Sequence, residues 1–149
     1  MIVMNQVRPC TYFCFAMEIT KDQLIDTERK ILASGILINY LPTEFLFRQG
    51  QKAEFVFYLK HGSIEMQWPE KDKELQINQQ NVFIGLDEAF SRGRYTCTAM
   101  TTELSEFLVF EREYFLQLTQ EFEHAVSYLE SMQVAFLSKL SPQELGYFA

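Results

Sequence analysis

Basic residues, histidines and long apolar runs are all scarce in this sequence. It holds 13 Lys and Arg against 20 Asp and Glu, a net charge of −7 over 149 residues, and the cations form no run. Gripping nucleic-acid phosphates needs clustered cations, so no DNA binding is expected of the chain as given. No apolar stretch approaches the ~20 residues of a membrane span, so no membrane partner is expected. The two histidines, His61 and His124, are too few for the histidines that converge with a carboxylate in a cupin-type metalloenzyme. A Gly-x-Ser-x-Gly elbow and a Cys–His pair are both missing, and Asp87 and Glu88 are adjacent rather than facing. The chain therefore does not read as an enzyme, and no metal or cofactor is expected. Cysteine is confined to Cys10, Cys14 and Cys97. This odd count and spacing fit no common zinc or disulfide framework and point to a reducing cytoplasm.

What is abundant is apolar and aromatic. Nearly half of the residues are hydrophobic, with 14 Phe and 7 Tyr, enough for one domain with a sizeable core. Residues 1–17 read as a leader: apolar patches interrupted by Asn5, Gln6, Arg8 and Pro9, without the compact centre of a secretory signal. Met17 is a second plausible start, and the leader is expected to pack loosely or not at all.

Thr20-Lys-Asp-Gln23 opens a helix over 21–34 through a capping box, and Gly35 stops it. From Pro42 the period changes to alternation. Strands are predicted at Phe45–Phe47, 54–60, 64–68, 75–77, 82–84, 95–101 and 104–110, with turns between them, which implies a sandwich or barrel. A short helix is predicted over 111–120. A longer one, 122–140, carries Phe122, Val126, Leu129, Gln133, Phe136 and Leu140 at spacings of four and three. That is a coiled-coil seam, and the polar Gln133 within it is the kind of residue that fixes register between two chains, so a homodimer through this helix is expected. A helix packing on its own sheet shows the same stripe. Ser141-Pro-Gln-Glu144 then has every start signal of another helix, and residues 141–149 read as the opening of a following segment.

The order helix, short strands, short helix, long helix resembles the cyclic-nucleotide-binding domain of bacterial regulators of the catabolite-activator and fumarate–nitrate-regulator (Crp/Fnr) family. Its marks are Phe47-x-x-Gly50, FYLKHGSIE (57–65), FIGLDEAF (83–90) and EFLVFEREYFLQL (106–118), and it covers residues 18–145. The resemblance implies a mainly β fold with flanking helices, a double-stranded β-helix (jelly roll) plus a long C-terminal dimerisation helix. It also implies a sensor domain without the helix-turn-helix found in full-length relatives. In the family, a glycine and the backbone N–H groups opening a short helix receive the cyclic phosphate, a following glutamate binds the ribose hydroxyl, and an arginine pairs with the phosphate. Gly85 matches the glycine, but Leu86 stands where the acid belongs. Gly93 falls at the arginine position, and Arg94 at the neighbouring hydroxyl position. The candidate site is therefore a degenerate cassette of Gly85, Leu86, Asp87, Glu88, Arg94, Tyr95 and Thr96. Cyclic AMP is not the expected ligand, and the effector is another small molecule.

Three alternatives stand beside this reading. Arg94, displaced by one position, with Asp87 or Glu88 replacing the acid, restores a cyclic-nucleotide site. The chain is a stand-alone dimerisation partner that pairs with full-length relatives through the same seam. The third and weakest is a cupin-like metalloenzyme.

Overall fold

A computed structural model of the chain describes residues 19–148. The leader expected over 1–17, with Cys10 and Cys14, lies outside the described residues. The first helix, α1, spans Lys21–Leu32. Its capping box is present: the Gln23 N–H donates to Thr20 Oγ1 at 3.1 Å, and the Thr20 N–H donates to Gln23 Oε1 at 2.9 Å.

Eight strands follow: β1 (Ile36–Tyr40), β2 (Phe45–Phe47), β3 (Phe55–His61), β4 (Ile64–Trp68), β5 (Lys73–Ile77), β6 (Val82–Ile84), β7 (Thr98–Thr101) and β8 (Ser105–Glu111). A helix α2 (Leu86–Ser91) sits between β6 and β7. After β8 come α3 (Arg112–Glu121), α4 (Ala125–Leu137), α5 (Pro142–Leu145) and a 3-10 turn, Gly146–Phe148. The strands pair antiparallel in two four-stranded sheets, ordered β1-β8-β3-β6 and β2-β7-β4-β5. This is the mainly β fold with flanking helices that the sequence predicts.

The inner strands of the first sheet, β3 and β8, are buried on both faces along most of their length, and this explains the composition of β3. Phe57 and Leu59 face the second sheet and share one core with Ile64, Met66, Trp68, Leu75 and Phe107. Val56 and Tyr58 point the other way, into a second core with Phe110, Ile31 of α1, Phe115 and Leu118 of α3, and Ala125, Tyr128 and Leu129 of α4. A strand whose neighbours alternate between faces is apolar throughout only when both faces are covered. Each fully buried Phe or Leu here contributes about 1.5–3 kcal/mol.

Three elements differ from the sequence reading. β1, with the run ILINY, shows no period because its residues are mostly exposed on both faces. The strand expected over 95–101 begins only at Thr98. Upstream of it, Tyr95 exchanges backbone hydrogen bonds with the turn at Gly50 and Gln51, both 2.9 Å. The helix expected over 122–140 runs from Ala125 to Leu137. Phe122 is instead the extended residue that ends α3, and its N–H returns to the Leu118 carbonyl. Leu140 lies past the end of α4.

Candidate functional site

The chain's turn at Gly85 organises the site. Gly85 has φ 83°, a left-handed conformation that suits glycine. A Cβ there would lie 3.1 Å from a Tyr95 ring carbon and 3.4 Å from the Phe55 carbonyl oxygen. The glycine thus lets the backbone turn from β6 into α2 against the Tyr95 ring. Leu86, next in line, is 2% exposed and belongs to the outer core with Val56 and Phe83.

Beside this turn lies a cavity of about 380 Å³. Its walls come from Met66 and Trp68 of β4, Glu70 and Lys71 after it, Ile84–Glu88 and Ser91, then Arg94, Thr96 and Cys97. Gln133 and Phe136 of α4 and the C-terminal Tyr147 and Phe148 close it. Three carboxylates, Glu70, Asp87 and Glu88, thus face two cations, Lys71 and Arg94. The Glu88 carboxylate accepts from Thr96 Oγ1 at 3.1 Å. Arg94 donates through Nη1 to the Gly50 carbonyl at 2.8 Å, which anchors the guanidinium to the turn. Gln49 donates to Glu70 at 2.8 Å, and that hydrogen bond holds the Glu70 carboxyl below its usual range.

The aromatic end of the cavity is built from four rings. Trp68 lies 5.7 Å from Tyr147 and 5.3 Å from Phe148, centroid to centroid, and Phe148 is 6.2 Å from Phe136. Lys71 Nζ donates to the Tyr147 carbonyl at 3.4 Å. Cys97 forms part of the wall, and its thiol is pushed up to about 12, first by burial and then by the charges of Glu88 and Glu70. Burial and the neighbouring negative charges thus disfavour the thiolate, the nucleophilic form of the side chain.

Of the cassette expected from sequence, Gly85, Leu86, Asp87, Glu88, Arg94 and Thr96 all line this one cavity. Tyr95 does not. Its ring stacks on Phe47 at 3.8 Å in the core, and its hydroxyl donates to the Phe55 carbonyl at 2.6 Å. Burial is the main reason its phenol is raised to about 12.

The stripe expected at a dimer seam also has other contacts. Leu129 is fully buried, and Phe136 is 8% exposed in the core between the sheets. Phe122 and Val126 pack on the outer core, Leu140 packs partly against the inner one, and Gln133 faces the cavity. Those positions meet the domain's own sheet. The open side of α4 carries Ser131, Val134, Ala135 and Ser138, with Val134 60% exposed.

The sequence reading missed Trp68, Glu70, Lys71, Cys97, Tyr147 and Phe148 as cavity walls. Only the break at Pro69-Glu-Lys, at the end of a strand with an inward Trp, signals that part of the wall. His61 and His124 line no part of the cavity. Among the described residues no group of His, Cys, Asp or Glu could hold a metal ion, and no helix is long and apolar enough to cross a membrane.

The family model of the cyclic nucleotide-binding domain matches residues 37–122. Among solved structures, the c-di-GMP-responsive global regulator CLP of Xanthomonas campestris is 21% identical with a TM-score of 0.65, over 76% of this chain and 58% of that one. The catabolite activator protein of Thermus thermophilus is 16% identical with a TM-score of 0.64, over 78% and 59%. This chain thus spans less than two thirds of the length of either regulator. The sensor domain of the transcriptional regulator DNR from Pseudomonas aeruginosa is 23% identical with a TM-score of 0.54, over 81% and 82%. At these identities the likeness is one of fold. No curated protein matches the sequence.

Proposed function

The chain belongs to the cyclic nucleotide-binding domain family, and we propose that it is a non-catalytic sensor domain of a Crp/Fnr-type transcriptional regulator whose phosphate cassette no longer takes cyclic AMP. The observation that carries this reading is the pairing of Gly85 with a buried Leu86. The backbone frame for an anion persists, while the acid that would bind a ribose hydroxyl is replaced by a side chain in the core. The cavity wall adds to it, since carboxylates outnumber cations and Arg94 already holds a carbonyl. A phosphodiester entering there meets net repulsion at short range. The effector of this domain is a small molecule other than cyclic AMP.

A second reading is favoured by one observation: Arg94 lines the same cavity as Gly85. Release of Gly50 would free its guanidinium for a phosphate. Calorimetric titration separates the two. With cyclic AMP and cyclic GMP at tens of micromolar, the degenerate-cassette reading expects no saturable heat. A saturable signal that Arg94→Ala abolishes would establish the displaced-arginine site instead.

The domain also works as a homodimer through α4, on the open side bearing Val134 and Ala135. In this reading the Leu129–Phe136 stripe positions the helix on its own roll, so that Gln133 reaches the cavity and Val134 the partner. A ligand touching Gln133 thereby biases the pairing of two chains.

A further inference from the structure

We propose that the cavity beside Gly85 takes an amphipathic organic cation, an amine or guanidine on an aromatic or aliphatic body, with its positive group against Glu70 and Glu88. The proposal rests on the reading above that the cassette no longer takes cyclic AMP, and it names the chemical class of the effector.

The two carboxylates are built into the wall as one unit. Gln49 donates through Nε2 to Glu70 Oε2 at 2.8 Å and to the Thr96 carbonyl at 3.3 Å. Thr96 Oγ1 in turn donates to Glu88 Oε2 at 3.1 Å. One chain, Glu70–Gln49–Thr96–Glu88, thus holds both acids. Its donors are an amide and a hydroxyl, neutral groups that orient a carboxylate without cancelling its charge.

The cations of the cavity are directed to carbonyls. Arg94 donates to Gly50 at 2.8 Å and Lys71 to Tyr147 at 3.4 Å. The Gln49 hydrogen bond is the main influence that holds the Glu70 carboxyl below its usual range, and the Lys71 charge is the weakest. Cys97 reports the balance from the same wall: after burial, the charges that act on its thiol are those of Glu88 and Glu70. An anion at this wall meets two fixed negative charges, and a cation is drawn to both.

The rest of the cavity decides between a bare ion and an organic one. Among the described residues no group of His, Cys, Asp or Glu could hold a metal ion. The aromatic end, with Trp68, Phe136, Tyr147 and Phe148, is suited to an apolar body, and ring faces also attract cations. At about 380 Å³, the space falls among pockets for small organic ligands, roughly 300–1,000 Å³.

Titration of the full chain with 2-phenylethylamine at neutral pH tests the proposal, by calorimetry and by the emission of Trp68, the chain's one tryptophan. The controls are 3-phenylpropionate and 2-phenylethanol, which are similar in size but carry a negative charge and none. The amine should give a saturable response, about tenfold tighter than either control. Glu88→Gln, and independently Glu70→Gln, should weaken the amine about tenfold and leave any response to the alcohol unchanged. The proposal is overturned if a control binds as tightly as the amine, or if both substitutions leave amine binding as it is in the parent. Cyclic AMP titrated in the same way separates the two levels of the account. A saturable response to it overturns the underlying reading and the cation with it, whereas silence toward both ligands at millimolar concentration overturns the cation alone.

Discussion

At the scale of single residues, Gly85 and the buried hydroxyl and thiol groups are the most informative. Gly85→Ala places a Cβ in a left-handed backbone against the Tyr95 ring. It should lower stability by about 1–2 kcal/mol, read as a shift of the urea midpoint at unchanged slope. Three groups have ionisations pushed up to about 12: Cys97, Tyr95 and Tyr58, each mainly by burial. Burial also raises Tyr128. The folded state therefore holds their protons more tightly than the unfolded chain, whose thiol and phenols titrate near 9 and 10. Their contribution is whole below about pH 9 and is lost as pH rises toward 12. Urea unfolding at pH 8 and at pH 10.5 should show the higher value at pH 8, and equal stabilities would contradict the buried placement. That Gly85–Glu88 share one cavity wall was legible at this scale because these residues are contiguous. Tyr95 was not. Its side-chain direction depends on whether residues 94–97 form a strand or a loop, and a change of one position reverses the face.

Among the elements, α4 shows what a periodic pattern carries and what it omits. The stripe Val126, Leu129, Gln133, Phe136 identifies a packed helix face, but spacing alone does not say whether the partner is another chain or the helix's own sheet. In the folded domain Leu129 and Phe136 sit in the two cores, which leaves Val134 outward. Leu129→Ala should therefore cost about 2–5 kcal/mol, the range for a core leucine truncated to a cavity. Val134→Asp should leave the thermal midpoint nearly unchanged and reduce the association proposed through α4, measured by sedimentation. Unchanged association in Val134→Asp would end the α4 contact. β1 was illegible for a related reason: a strand exposed on both faces has no inward partner to impose a period of two. β3 and β4 were legible, since one is buried on both faces and the other alternates cleanly.

Over the whole molecule, two cores share one sheet, and this arrangement sets the cavity. The roll's inner core ends at Trp68 and Phe136, the outer core receives Leu86, and the gap between them is the cavity beside Gly85. A fold of this kind keeps its pocket whether or not the pocket keeps its original ligand, because the walls are held by packing rather than by the ligand's own contacts. Leu86, at 2% exposure, is part of that packing, and in the degenerate cassette proposed above it gains burial where a carboxylate would need a ligand to satisfy it.

The most direct test of a cassette that has lost cyclic AMP is to follow the backbone amide resonances of Gly85, Leu86 and Asp87 while that nucleotide is raised to millimolar concentration. These signals are expected to stay where they are. A saturable shift centred on Gly85 and Leu86 would contradict the degenerate cassette, and would restore the phosphate cradle as a working cyclic-nucleotide site.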